Sequence, residues 1–135
     1  MTSEVPRFFR IWFYAAAVYN LLWGCFVCLF PAWCIDFLKI GHLISVPFLQ
    51  VIGMIVGVYA YGYWLLAKEP IRYYGLIWIG LLGKILGPLG FFFYAFQGTL
   101  PWNFGFTIIT NDLIWWPVFI AFTVKYRTVS GSGNE

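Results

Sequence analysis

Charge is scarce in this chain. Only 10% of its 135 residues are Asp, Glu, Lys or Arg, against about 25% in an ordinary soluble domain. So little polar surface cannot cover a globule in water, and that class is excluded. The formal net charge of +3 is spread over several segments, so no basic face exists that could neutralise a run of nucleic-acid phosphates. There is one His and there are three Cys. No metal-ligand cluster, hydrolase triad or phosphate loop can be assembled, which points away from an enzyme of the soluble kind and from a bound metal. No internal repeat is evident and nothing argues for more than one domain.

What the chain has instead is apolar length. Hydrophobic residues make up 62% and aromatic ones 24%, with 8 Trp. Four apolar stretches, residues 11–30, 46–67, 73–96 and 106–124, each approach the roughly 20 residues that a helix needs to cross a hydrocarbon core of about 30 Å. The predicted fold is all-α: a polytopic membrane protein, an antiparallel bundle of four transmembrane helices over residues 1–128, followed by a flexible Ser/Gly tail over 129–135. Arg7 and Arg10 precede the first stretch as in a secretory signal. That stretch is too long and too aromatic, and no small-residue cleavage site follows, so it reads as a retained first span.

Basic residues then sort the loops. Arg7, Arg10, Lys68, Arg72, Lys125 and Arg127 fall on one side, whereas the other has Lys39, offset by Asp36, and His42. The positive-inside rule places both termini in the cytoplasm and the protein in the plasma (inner) membrane as a multi-pass chain. The first loop, residues 31–45, mixes Trp33, Phe37 and Ile40 with Asp36 and Lys39, a pattern for a segment lying in the interface. The lone His42 has no partner ligand in the sequence and reads as exposed or interfacial. The tight Lys68-Glu69-Pro70 loop makes the second and third spans neighbours. Pro101-Trp102 reads as a turn with an interfacial anchor.

Inside the third stretch stands Lys84, in GLLGKILGPLG. A charge at mid-bilayer costs at least ~2.5 kcal/mol, so it needs a partner at its own depth. At ~1.5 Å of rise per residue, Lys84 lies about 18 Å from Arg72 and Asp112 about 20 Å from Lys125. The two charges share a level, and an intramembrane ion pair between them is expected. Asn20 falls about 15 Å from Arg10, and Asn111 adjoins Asp112. Gln50 lies nearer the other surface and could continue the polar line. Small residues accompany these groups: Gly80, Gly83, Gly87 and Gly90 with Lys84, Ala16 and Gly24 with Asn20, Gly53 and Gly57 with Gln50. Such stripes let membrane helices approach closely. Pro88 cannot donate to the carbonyl of Lys84, nor Pro117 to that of Leu113, so two unpaired acceptors fall beside the charged layer. Such a layer can lock helix register or receive a ligand or a proton; both readings stand.

At GLLGKILGPLGFFF and LPWNFGFTIITNDLIWWPVF the chain resembles a group of small uncharacterised bacterial four-helix membrane proteins that keep L-L-G-K-x-x-G-P-x-G-F and T-N-D-L-I-W-W stretches. YNLLWG and IGMIVGVYAYGYW fit the same group, so the resemblance covers nearly the whole span region. Some members are labelled alkyl hydroperoxide reductase; peroxidases of that kind are soluble thioredoxin-fold proteins, for which this chain has no room. In size, span number and glycine-rich helices the chain is also similar to the DoxX-like membrane proteins, whose relatives include quinone-linked thiol or thiosulfate oxidation. That similarity implies contact with a quinone or a lipid and transfers no motif residue by residue.

Three functions follow as expectations. The first is a binding or accessory protein whose layer of Asn20, Lys84, Asn111 and Asp112, with Gln50 further out, receives the polar head of a lipid, isoprenoid or quinone, while Trp115 and Trp116 pack against a flat ring. Its partners would be membrane lipid, a second copy or a larger membrane complex. The second is a quinone-linked thiol oxidoreductase using Cys25 and Cys28, a C-x-x-C for which plain packing of small apolar side chains is the competing reading. The third is a dimeric small transporter or proton relay. A quinone is the one cofactor that any of these suggests.

Overall fold

The computed structural model describes residues 4–129. Of the tail expected at 129–135, all but Val129 lies outside the described residues. Every regular element among the described residues is helical. Four helical stretches are long and apolar enough to cross a membrane: Arg7–Leu29, Val46–Lys68, Gly75–Phe96 and Trp102–Tyr126. The first is α1. A short helix, α2 (Pro31–Leu38), follows it, then α3 (Val46–Lys68) and α4 (Gly75–Phe96).

Local chemistry sets these bounds. Pro31 opens α2 at its first turn, where a missing N–H costs nothing. Lys39 closes it in the left-handed region at φ 56°. Gly98, at φ 73°, turns the chain out of α4, an angle that glycine adopts without a side-chain penalty.

Helices α1 and α3 pack along most of their length because glycine removes the side chains between them. A Cβ placed on Gly24 would lie 2.7 Å from the carbonyl oxygen of Gly53, a separation that only bare backbone allows. Polar side chains tie the same seam. The amide of Gln50 donates to the Cys28 carbonyl at 2.9 Å, that of Asn20 to the Val56 carbonyl at 3.3 Å, and the Arg10 guanidinium to the Ala67 carbonyl at 2.9 Å. Toward the Arg10 end, Phe13, Leu66, Ile77, Phe119 and Phe122 are fully buried. The rings of Phe13 and Phe122 meet edge to face with centroids 4.9 Å apart, a favoured aromatic geometry. Tyr74 donates to the Thr123 carbonyl at 2.7 Å, and Phe9 touches Tyr126. The start of α1, the end of α3, the start of α4 and the end of the last helix thus meet at one end of the bundle.

The fourth stretch, expected at 106–124, is one span of the four but is not a continuous helix. It comprises a 3-10 turn at Trp102–Phe104, α5 (Gly105–Asn111), a break at Asp112, a second 3-10 turn at Leu113–Trp115, and α6 (Trp116–Tyr126). Pro117 supplies the reason. Lacking an N–H it cannot bond the Leu113 carbonyl, and the chain tightens so that the Trp116 N–H takes that carbonyl instead. The Trp115 N–H likewise turns to the Asp112 carbonyl at 3.2 Å. One consequence is that the Asn111 carbonyl, at the end of α5, has no backbone donor in the next turn.

Candidate polar cavity

The break delivers Asp112 and the Asn111 carbonyl to α4 at the height of Lys84. Lys84 is only 3% exposed, and its ammonium donates to the Asn111 carbonyl. That is the negative end of a helix, where a cation is favoured. Three rings surround the same nitrogen, with centroids at 5.4 Å for Tyr63, 5.6 Å for Phe119 and 5.7 Å for Trp115. Each lies within the range over which a ring face attracts a cation.

The expected ion pair between Lys84 and Asp112 is not formed. Among the described residues the salt bridge is that of Arg72 with Glu69, at 3.2 Å on the surface. The physical reason is the helix break, which exposes a carbonyl nearer to the ammonium than the carboxylate is. Asp112 turns instead against Gly87, where an added Cβ would stand 2.7 Å from its Oδ2. Gly80 makes room in the same way for the hydroxyl of Tyr63, 2.8 Å from an added Cβ. Two glycines of the α4 stripe therefore admit polar groups, whereas Gly83 and Gly90 face open space.

Between these groups lies a cavity of about 210 Å³, lined by Asn20, Tyr59, Tyr63, Lys84, Asn111 and Asp112 among others. Several of its acceptors have no protein donor, although the Tyr59 and Tyr63 hydroxyls also line it. Asn20 Oδ1 and Asn111 Oδ1 are buried without a hydrogen bond, and the Asp112 carboxylate, 6% exposed, makes none with a protein group. The orientation of the Asn20 amide is fixed by its bond to the Val56 carbonyl, which only its nitrogen can donate, so its oxygen is the end that faces the cavity unmatched. The cavity opens between α3 and α4, where Ile55 and Gly83 are exposed. A shallower hollow of about 220 Å³ continues from it along Val58 and Ile79.

Of the residues singled out in the sequence, the fold gathers Asn20, Lys84, Asn111 and Asp112 and leaves the others outside. Gln50 spends its amide on the α1–α3 seam. Trp115 donates to the Thr110 carbonyl at 2.9 Å and Trp116 to the Lys84 carbonyl at 2.8 Å, so both indoles brace the broken helix and neither lines the cavity. The carbonyl that Pro88 leaves free is thus filled by Trp116. Cys25 is exposed, Cys28 half-buried and Cys34 buried, all as free thiols. The Cys28 sulfur lies against the Gln50 carbonyl within the seam. Burial pushes the Cys34 thiol above its ordinary pKa.

Sequence reasoning missed Tyr59, Tyr63 and Phe119. Tyr59 and Tyr63 stand four apart in an apolar helix, a spacing that sets two hydroxyls on one face. Comparison with family models, with curated proteins and with solved structures finds no match.

Proposed function

We propose that this protein sits in the plasma membrane with both termini in the cytoplasm and binds an apolar molecule, a lipid, isoprenoid or quinone, by its polar head in the cavity at Lys84. It does so alone or as an accessory subunit of a membrane complex. The orientation rests on Arg7, Arg10, Lys68, Arg72, Lys125 and Arg127 lying toward the end of the bundle where α1 begins and α6 ends. The binding function rests on one observation above all: buried acceptors on Asn20 and Asn111 are left unmatched around a cavity that opens sideways between two apolar helices. A layer built only to lock helix register would fill those acceptors with protein donors, since each one left bare costs about 1–3 kcal/mol. A ligand or ordered water removes that cost.

Native mass spectrometry of the protein released from membranes tests this reading. The wild type is expected to carry an apolar molecule that Asp112→Asn loses, with the thermal unfolding of the variant close to wild type. Equal ligand content in the two proteins would overturn it.

A further inference from the structure

A second, larger chamber lies one helical turn beyond the polar cavity, beneath α2. It measures about 410 Å³ and its walls are almost wholly apolar, with Trp23, Leu38, Leu49, Ile52 and Thr107 among them. That is the lower part of the range of about 300–1,000 Å³ in which ligand pockets fall, and it suits one apolar chain. Helices α1, α3 and α5 contribute to both spaces, whereas α4 lines only the polar cavity and α2 only the chamber. Trp23 follows Asn20 by three residues on α1, Ile52 precedes Val56 by four on α3, and Thr107 precedes Asn111 by four on α5. Each step moves about 5 Å in the same direction along the bundle.

The polar cavity also selects among heads. Lys84, the Tyr59 and Tyr63 hydroxyls and the Asn111 amide nitrogen offer donors, whereas the oxygens of Asn20, Asn111 and Asp112 offer acceptors that none of these reaches. A carboxylate or phosphate would meet Lys84 but would leave the acceptors bare and face Asp112. An ammonium would face Lys84. A ketone or quinone carbonyl would accept from Lys84 or a tyrosine but brings no donor for the oxygens of Asn20, Asn111 and Asp112. A hydroxyl brings one donor and two lone pairs and answers both kinds of group. Resting on the binding function proposed above, we infer that the ligand is a single-chain amphiphile with a hydroxyl head, an alcohol or a quinol, whose head sits at Asn20, Lys84 and Asp112 and whose chain lies in the chamber beneath α2.

Photocrosslinking tests this with the full chain in lipid nanodiscs. The probes are hexadecanol carrying a mid-chain diazirine, and the matched fatty acid and methyl ketone. The alcohol is expected to label peptides bearing Trp23, Leu49, Ile52 or Thr107, about tenfold more than the acid or ketone, roughly the weight of one hydrogen bond to a charged group. Asp112→Asn should reduce this labelling, as should Ile52→Trp, which intrudes on the chamber from a partly exposed wall. Label at Ile55 and Ile79 that still depends on Asp112 would overturn the chamber and leave the head site standing, with the chain running out between α3 and α4. Label in the chamber that ignores Asp112 would overturn the head site itself. Equal labelling by the three probes would overturn the hydroxyl assignment.

Discussion

The indole N–H of Trp116 donates to the main-chain carbonyl of Lys84 at 2.8 Å, closing the hydrogen bond that Pro88 cannot supply four residues later on α4. Each proline in the charged layer therefore has its compensation, one from a side chain and one from a 3-10 turn. The indole bond, with that of the Lys84 ammonium to the Asn111 carbonyl, ties the broken fourth stretch to α4.

Removing the indole donor should unmask that carbonyl. Trp116→Phe is expected to destabilise the protein by about 1–3 kcal/mol, the cost of an unpaired buried acceptor, read as a lower unfolding midpoint in detergent. Pro88→Ala returns a backbone N–H to the same carbonyl. Its presence should make the Trp116 substitution cost less, and a double-mutant cycle that adds strictly would refute the compensation.

Lys84 is held by a carbonyl and three rings, and exchanging the two charges should not rescue the fold. Lys84→Asp with Asp112→Lys is expected to be at least as unstable as the worse single variant, because an aspartate at 84 would face the Asn111 carbonyl and the faces of Tyr63, Trp115 and Phe119. Recovery of wild-type stability in the double variant would show that a direct pair matters after all.

Glycines of similar sequence context should behave differently. Gly24→Ala drives a methyl onto the Gly53 carbonyl at 2.7 Å and should cost about 1–3 kcal/mol through backbone displacement. At Gly83 an added Cβ meets nothing within 4 Å, and alanine should be neutral or slightly stabilising by its better helix propensity. Thermal melts of the two variants in one detergent compare them directly.

Gly87→Ala is expected to act on binding rather than folding. Its methyl would displace the Asp112 carboxylate, whose Oδ2 lies 2.7 Å from that position. The copurifying molecule should fall as it does in Asp112→Asn, and retention at wild-type level would argue that the carboxylate position is irrelevant to the ligand.

Thiol labelling offers a pH test. Burial raises the Cys34 pKa, so its thiolate, the reactive form, is depleted at neutral pH and appears only as pH climbs. With Cys25 and Cys28 replaced by serine, the pH midpoint for alkylation by N-ethylmaleimide should be higher in the folded protein than in the detergent-unfolded one. Coincident midpoints would contradict a buried Cys34.

The four long apolar stretches were legible because apolar length is a strong signal, and counting residues from Arg72 and Lys125 set Lys84 and Asp112 at one height. The unpaired carbonyl at Lys84 was legible from Pro88 alone. The break at Asp112 was not, because apolar residues continue across it and hydropathy averages over a turn. Pro117 near the start of α6 was the available clue, since proline favours the first turn of a helix as well as interrupting one. The ring cage was hidden for a different reason. Tyr63 and Phe119 are spaced like any packing residues, and only the position of Lys84 in space gives them a role. The ion pair failed as an expectation because sequence reports side-chain charges and is silent on a main-chain carbonyl left bare by a helix end.

The interrupted last stretch also depends on its neighbours. Helices α5 and α6 have 7 and 11 residues, each too short to cross a bilayer alone, and the irregular backbone between them is tolerated only where protein surrounds it. Lys84 on α4 and the rings of Trp12 and Tyr19 on α1, which meet that of Trp115, provide that surrounding. The bent shape of the final stretch is therefore a property of the assembled bundle and not of that segment by itself.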